Sequence, residues 1–75
     1  MTIMEFTHFE VVDFCDDTTF QLPLSARPSD PLTICNTARD CLTILQALEV
    51  VRPFEFIRMG SVMVTAMAER REVAA

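Results

Sequence analysis

The chain contains a single glycine, Gly60, which lies inside the apolar, methionine-rich segment IRMGSVMVTAMAE at residues 57–69. Glycine lowers helix stability by about 0.5–1 kcal/mol relative to alanine, so a structural reason is needed for it there. We interpret residues 54–72 as an amphipathic helix that Pro53 opens, with Gly60 on its buried stripe. The missing side chain is then expected to let a facing helix approach closely.

A second amphipathic pattern covers residues 31–49. Asp30 is a suitable N-cap, and Pro31 fits the first helical position, where its missing N–H group costs nothing. Apolar side chains recur on one face of this helix at Ile34, Ala38, Cys41, Leu45 and Leu48. Because the connection between the two predicted helices is short, we expect them to form an antiparallel hairpin.

The N-terminal part of the chain has the composition of strands. The segment EFTHFEVVDF at residues 5–14 is rich in phenylalanine and valine, polar turn residues follow it, and TFQLPL at residues 19–24 alternates. These features predict a β-hairpin over about residues 4–24. The expected fold is therefore α+β, with an N-terminal β-hairpin followed by a two-helix hairpin (ββαα) in one domain, residues 1–75.

The apolar surface of the predicted helices exceeds what one small core can cover. The chain has 75 residues, of which 51% are apolar, and a domain of this size leaves much of its surface exposed. Each apolar stripe is nearly half a helix circumference wide, so we expect a homodimer formed through the helices. The residues predicted for self-association are Ala38, Leu45, Leu48, Phe56, Gly60, Met63 and Met67.

The net charge of −5 is confined to residues 1–30, since the acidic and basic residues after them balance. The acidic turn residues Asp13, Asp16 and Asp17 are therefore predicted to meet a basic patch on a protein partner. The chain has no lysine and no basic stripe with interleaved aromatic residues, which disfavours direct nucleic-acid binding. Five arginines in the predicted helical half leave a nucleic-acid-binding module as a further alternative.

The sequence has no pattern of residues that is typical of catalysis. His8 is the only histidine, no Cys-x-x-Cys pair occurs, and one glycine cannot form a phosphate-binding loop. We therefore predict no enzyme, no cofactor and no metal. The alternative from this class is a metal-dependent sensor or enzyme that uses His8 with the three cysteines, Cys15, Cys35 and Cys41.

The expected location is the cytoplasm. The N-terminus has no basic region followed by an apolar run, as a signal peptide would. The odd number of cysteines favours a reducing compartment, where they act as small apolar residues. The longest uncharged run in the predicted helices, residues 59–68, is too short to span a bilayer.

The order FQLPLSARPSDPLTICNTARDCLTIL, followed by a helix with Met63 and Met67 on its apolar side, resembles a family of short proteobacterial proteins. That family is of pseudomonad type and is catalogued as a domain of unknown function. The resemblance covers about residues 18–72 and implies a bacterial source. The residues themselves favour a small protein–protein interaction module that acts as a regulator or inhibitor. A phage- or prophage-derived inhibitor of a host defence or regulatory system is the alternative within this class.

Overall fold

The computed structural model describes residues 1–30, 35–47 and 52–74. Along the chain, its elements are β1 (Thr2–Asp13), β2 (Thr18–Pro23), α1 (Asn36–Ala47), β3 (Phe56–Met59) and β4 (Val62–Glu72). The four strands form one antiparallel sheet in the order β2-β1-β4-β3. α1 packs on one face of this sheet, against β3 and β4.

The centre of the sheet is the long pairing of β1 with β4. Its register runs from Thr2 opposite Glu72 to Asp13 opposite Val62, and a bulge lies between Phe6 and His8. β2 and β3 are shorter and pair only with the part of β1 and β4 that lies beyond this bulge. Residues 2–6 and 68–72 therefore continue as a two-stranded ribbon, here called the arm. The molecule is elongated, with extents of 44, 24 and 19 Å.

The predicted two-helix hairpin is wrong, because residues 54–72 contain β3 and β4 instead of a second helix. The β-branched residues Ile57, Val62 and Val64 favour strands. They also alternate with residues of the opposite face around the two-residue turn Gly60-Ser61. A Gly-Ser pair between two alternating runs is a hairpin signal, and here it prevails over the helical spacing of the methionines.

Gly60 has a role that differs from the predicted close approach of two helices. Its φ is +58°, while Ser61 is not among the residues with positive φ, so the β3–β4 turn has the features of a type II′ hairpin turn. A Cβ atom built on Gly60 would meet nothing within 4 Å. The glycine is therefore required by the backbone conformation of the turn, and the prediction that it lies where helices pack together is wrong.

The core lies between α1 and the inner face of the sheet, the face on which the helix packs. The helix buries residues spaced three and four apart, so that they share one side of it. The fully buried residues with the largest side chains are Leu42, Leu45, Val11, Val64 and Cys41. Ala38 is also fully buried. Of the residues predicted for this stripe, Ile34 and Leu48 lie outside the described residues.

Pro53, which was predicted to open a helix, instead forms part of a turn that leads into β3. The N–H group of Glu55 donates a hydrogen bond to the carbonyl of Arg52 at 3.0 Å, and Phe54 has a φ of +64°. Proline followed by a residue with positive φ is typical of a type II turn. Phe54 and Glu55 both bond to Ala66 at 2.8 Å, which makes a bulge at the start of β3.

Substitution of Gly60 tests whether its role is conformational. We expect Gly60→Ala to lower the free energy of unfolding by about 1–2 kcal/mol, because an L-residue there is strained. Gly60→Leu should cost about the same, since the site for a side chain is open. Urea denaturation of both variants measures the change in the free energy of unfolding. A much larger loss for leucine than for alanine would mean that the position is packed.

Shortening a side chain at the centre of the core tests the packing of α1 on the sheet. Leu42 is fully buried, whereas Ile44 on the same helix is 42% exposed. We expect Leu42→Ala to lower the free energy of unfolding by about 2–5 kcal/mol, and Ile44→Ala to have a much smaller effect. Thermal and urea denaturation measure the stability of the two variants for comparison. Equal losses would contradict the assignment of the buried helix face.

Candidate protein-binding surface

The sheet has a second face, opposite the one that α1 covers, here called the outer face. Val11 and Val64 are buried on the inner face, so their neighbours in the strands lie on the outer face. No described helix or strand packs over it. Its central residues from β1, β4 and β3 are His8, Glu10, Val12, Met63, Thr65, Met67, Phe56 and Arg58.

The outer face carries apolar residues among its polar ones. Antiparallel sheets with one solvated face normally carry polar residues there. In this chain, Val12 lies opposite Met63, and Thr65 lies between Glu10 and Phe56. Thr65 is only 9% exposed and Phe56 is 56% exposed. The outer face therefore has a closely packed centre and an uncovered aromatic ring at its β3 edge.

A second uncovered aromatic ring, Phe14, follows β1 at the turn end of the sheet. Its side chain is 50% exposed, and the guanidinium carbon of Arg58 lies 4.6 Å from the centre of its ring, within the range of a cation–π contact. The N–H group of Phe14 donates a hydrogen bond to the carbonyl of Ser61 at 2.8 Å, and Nε of Arg58 donates to the carbonyl of Gly60 at 3.2 Å. These contacts fix Phe14 and Arg58 beside the β3–β4 turn.

The three aspartates predicted to bind a partner lie together at this same end. Asp13 ends β1, and Asp16 and Asp17 are exposed in the loop that leads to β2. The carboxylate of Asp13 accepts a hydrogen bond from the N–H group of Cys15 at 2.9 Å, and Asp17 has a φ of +53°, which aspartate tolerates better than most residues. The acidic loop is therefore adjacent to Phe14, although its partner-binding role stays a prediction.

The residues predicted for self-association do not form one surface. Ala38 and Leu45 are fully buried in the core, and Leu48 lies outside the described residues. Phe56, Met63 and Met67 are on the outer face, whereas Gly60 is in the β3–β4 turn. The helical seam that motivated this set is wrong, and self-association by any route stays a prediction.

The residues considered for metal or catalytic chemistry are dispersed. His8 is half-buried on the outer face, with Nδ1 2.8 Å from the hydroxyl of Thr7. Cys15 is exposed in the acidic loop, Cys35 is exposed before α1, and Cys41 is buried under the sheet. Within residues 1–30, 35–47 and 52–74, no three histidine, cysteine or acidic side chains are grouped as metal ligands would be.

The sequence reasoning did not identify the outer face, Phe14 or Arg58 as part of a surface. The sequence places Phe14 in the first predicted strand and Arg58 in the second predicted helix. The signal that could have revealed them was the alternation after the Gly-Ser turn, which assigns Met63 and Met67 to one face and Val62 and Val64 to the other.

The described part of the chain has no helix that is long and apolar enough to cross a membrane. Comparison of the sequence and structure with protein-family models, curated proteins and solved structures found no match. The resemblance to the pseudomonad-type family therefore stays a prediction.

The thiol of Cys41 has a titration that is coupled to folding. Burial raises its pKa most, and the nearby Asp40 carboxylate raises it further. A hydrogen bond with the Met59 backbone lowers the pKa by less, and Cys35 adds a still smaller increase. A raised pKa favours the neutral thiol in the folded chain, while the unfolded chain ionises first as the pH rises. The stabilisation that the neutral Cys41 thiol gives the folded chain is complete below the pH at which ordinary thiols ionise, and it is lost at higher pH.

We therefore expect the free energy of unfolding to fall as the pH rises above about 8.5, where ordinary thiols ionise. The chain has no lysine and no tyrosine, so few other groups titrate there. Urea denaturation at a series of pH values should show a smaller decrease in Cys41→Ala than in the unmodified chain, whatever the cost of the cavity. Cys15→Ala, which changes an exposed thiol, is the control. The same pH dependence in all three proteins would contradict the prediction.

Proposed function

We propose that this chain is a protein-binding module that works as a regulator or inhibitor by binding a partner through its outer face and the acidic loop next to Phe14. The observation that carries the proposal is two exposed rings: Phe14 is 50% exposed next to the acidic loop, and Phe56 is 56% exposed at the start of β3, opposite Thr65. Aromatic residues are enriched at the centres of protein interfaces, where they act as anchors.

Covering the two rings would supply part of the free energy of binding. Full burial of a phenylalanine side chain stabilises a complex by about 1.5–3 kcal/mol, so covering two half-exposed rings contributes on the order of 2 kcal/mol. The rings are attached to paired strands, and Arg58 lies over Phe14 at 4.6 Å. Little conformational entropy is then lost when a partner covers them.

The charge next to the rings suggests the chemistry of the partner. Asp16 and Asp17 are exposed in the loop beside Phe14, and they are part of the excess acidity of residues 1–30. Such a loop attracts a basic protein surface and accelerates its association, with an effect that salt screens. The proposed partner therefore presents an apolar patch that basic residues border.

A reducing compartment, such as the cytoplasm, is part of the same proposal. The three cysteines are free thiols, and two of them are exposed without a disulfide partner. Proteins in oxidising compartments usually pair such residues. The separation of His8 from the cysteines supports binding over metal-dependent chemistry as the mode of action.

Site-specific photocrosslinking tests the proposed surface. The photoreactive residue p-benzoylphenylalanine is placed at Phe56 or at Phe14, and at Ile44 as the control, since Ile44 is 42% exposed on α1, on the other side of the sheet. We expect irradiation of cells of the native host to give the same heavier adduct from positions 56 and 14, and not from 44. High salt, or Asp16→Asn with Asp17→Asn, should reduce its yield.

The mass of the adduct distinguishes a second protein from a second copy of this chain. A second protein at positions 56 and 14 supports the proposal. Adducts that are identical from all three positions, or no adduct from 56 and 14, would contradict it. A product of two copies of this chain at position 56 would also contradict it, because the outer face would then serve self-association.

A further inference from the structure

Within residues 1–30, 35–47 and 52–74, no strand pairs with the outer edges of the arm, and the hydrogen-bonding groups of these edges can be assigned. The terminal amino group of Met1 and the carbonyl of Val73 lie 3.2 Å apart, and the N–H group of Val73 donates to the carbonyl of Met1 at 2.9 Å. Met1 and Val73 are thus a hydrogen-bonded pair, and antiparallel pairs alternate in type. The N–H and C=O groups of Thr2, Met4 and Phe6 therefore point away from β4, toward the side where β2 has already ended.

The arm also leaves apolar side chains uncovered. Met4 is 39% exposed, and Phe6 is only partly buried against the edge of the core. An isolated two-stranded ribbon is marginally stable in water, and a free strand edge is a template for another strand. The arm is thus a place, besides the outer edges of β2 and β3, where the sheet can take an added strand.

We propose that this edge binds the same edge of a second copy of the chain. Residues 2–6 of β1 pair antiparallel with residues 2–6 of the partner copy, around a two-fold axis at Met4. Thr2 then lies opposite the partner's Phe6, and Ile3 lies opposite the partner's Glu5. The two sheets become one continuous sheet, with the dimer interface at the arms.

The β1 edge and the β4 edge of the arm differ in charge at the two-fold axis. In a two-fold antiparallel pair, the residue on the axis faces its own copy, and like charges that face each other destabilise the pair. On the β4 edge, a two-fold axis at Glu69, Arg70 or Arg71 places that charged residue opposite its own copy, although the axis at Arg70 also places Glu69 opposite Arg71. On the β1 edge, the axis can lie at the uncharged Met4.

Glu5, the one charged residue among residues 2–6 of β1, is already paired within the chain. Both carboxylate oxygens of Glu5 accept hydrogen bonds from Arg71 of β4, at 3.0 and 3.2 Å. In the proposed register, Glu5 faces an isoleucine of the partner rather than a second carboxylate. Met4 and Phe6 lie on the inner-face side of the arm, where they would form an apolar stripe with their copies.

This dimer does not depend on the proposed function. It uses the backbone of the arm, whereas the proposed partner covers Phe14 and Phe56, which lie beyond the bulge between Phe6 and His8. Either proposal can therefore fail while the other stands.

A disulfide at the axis tests both the edge and the register. Cα atoms of a hydrogen-bonded antiparallel pair are about 5.5 Å apart, within disulfide range. Met4→Cys, with Cys15→Ser and Cys35→Ser to remove the exposed thiols, is expected to oxidise to a covalent dimer. The matched control is Arg70→Cys in the same background, because Arg70 lies opposite Met4 in the arm and its backbone N–H and C=O groups point to the other edge.

A covalent dimer from Met4→Cys and not from Arg70→Cys supports the proposal. Preferential crosslinking at position 70, or equal crosslinking at both, would overturn it. If neither variant crosslinks while the buried Cys41 stays reduced, the proposed register is wrong.

Proline substitutions provide a second test that needs no oxidation. Met4→Pro removes a free N–H group of the β1 edge, and Arg70→Pro removes the equivalent group of the β4 edge, so both leave the β1–β4 hydrogen bonds in place. Sedimentation at increasing concentration should show the unmodified chain and Arg70→Pro associating to twice the monomer mass, while Met4→Pro remains a folded monomer by circular dichroism. An unmodified chain that stays monomeric at the highest concentration, or a dimeric Met4→Pro, overturns the proposal.

Discussion

The pairing of β1 with β4 is the interaction on which the other features depend. These strands join two hairpins that are far apart in the sequence, and their residues at Val11 and Val64 supply the fully buried centre of the sheet. α1 packs against β3 and against the face on which β4 presents Val62, Val64 and Ala66. The same pairing creates the outer face and extends past β2 and β3 to form the arm.

The sequence predicted strands and helices correctly only where one periodicity was possible. α1 lies within the range that was interpreted as a helix, since its apolar residues recur at three and four positions and do not alternate. In the last third of the chain, Met59, Met63 and Met67 are four apart, which suits both a helix and one face of a strand. The β-branched residues and the Gly-Ser turn favour two strands over a helix here.

The candidate site could be predicted only in part for a related reason. The acidic loop was recognisable from Asp13, Asp16 and Asp17, because consecutive polar residues between strands are a local signal. The contact between Phe14 and Arg58, at 4.6 Å, joins residues that are distant in the sequence. It follows from the register of β4 against β1 and β3, which no local pattern specifies.

The strand order also has a consequence for synthesis of the chain on the ribosome. β1 is made early, but its central neighbour β4 leaves the ribosome only after α1 and β3 have emerged. Until then, the nascent first hairpin carries Phe9, Val11 and Leu22 without the helix and strand that bury them. Isolated hairpins are marginal, so during translation these apolar residues are available to chaperones, and the sheet forms only once β4 has been released.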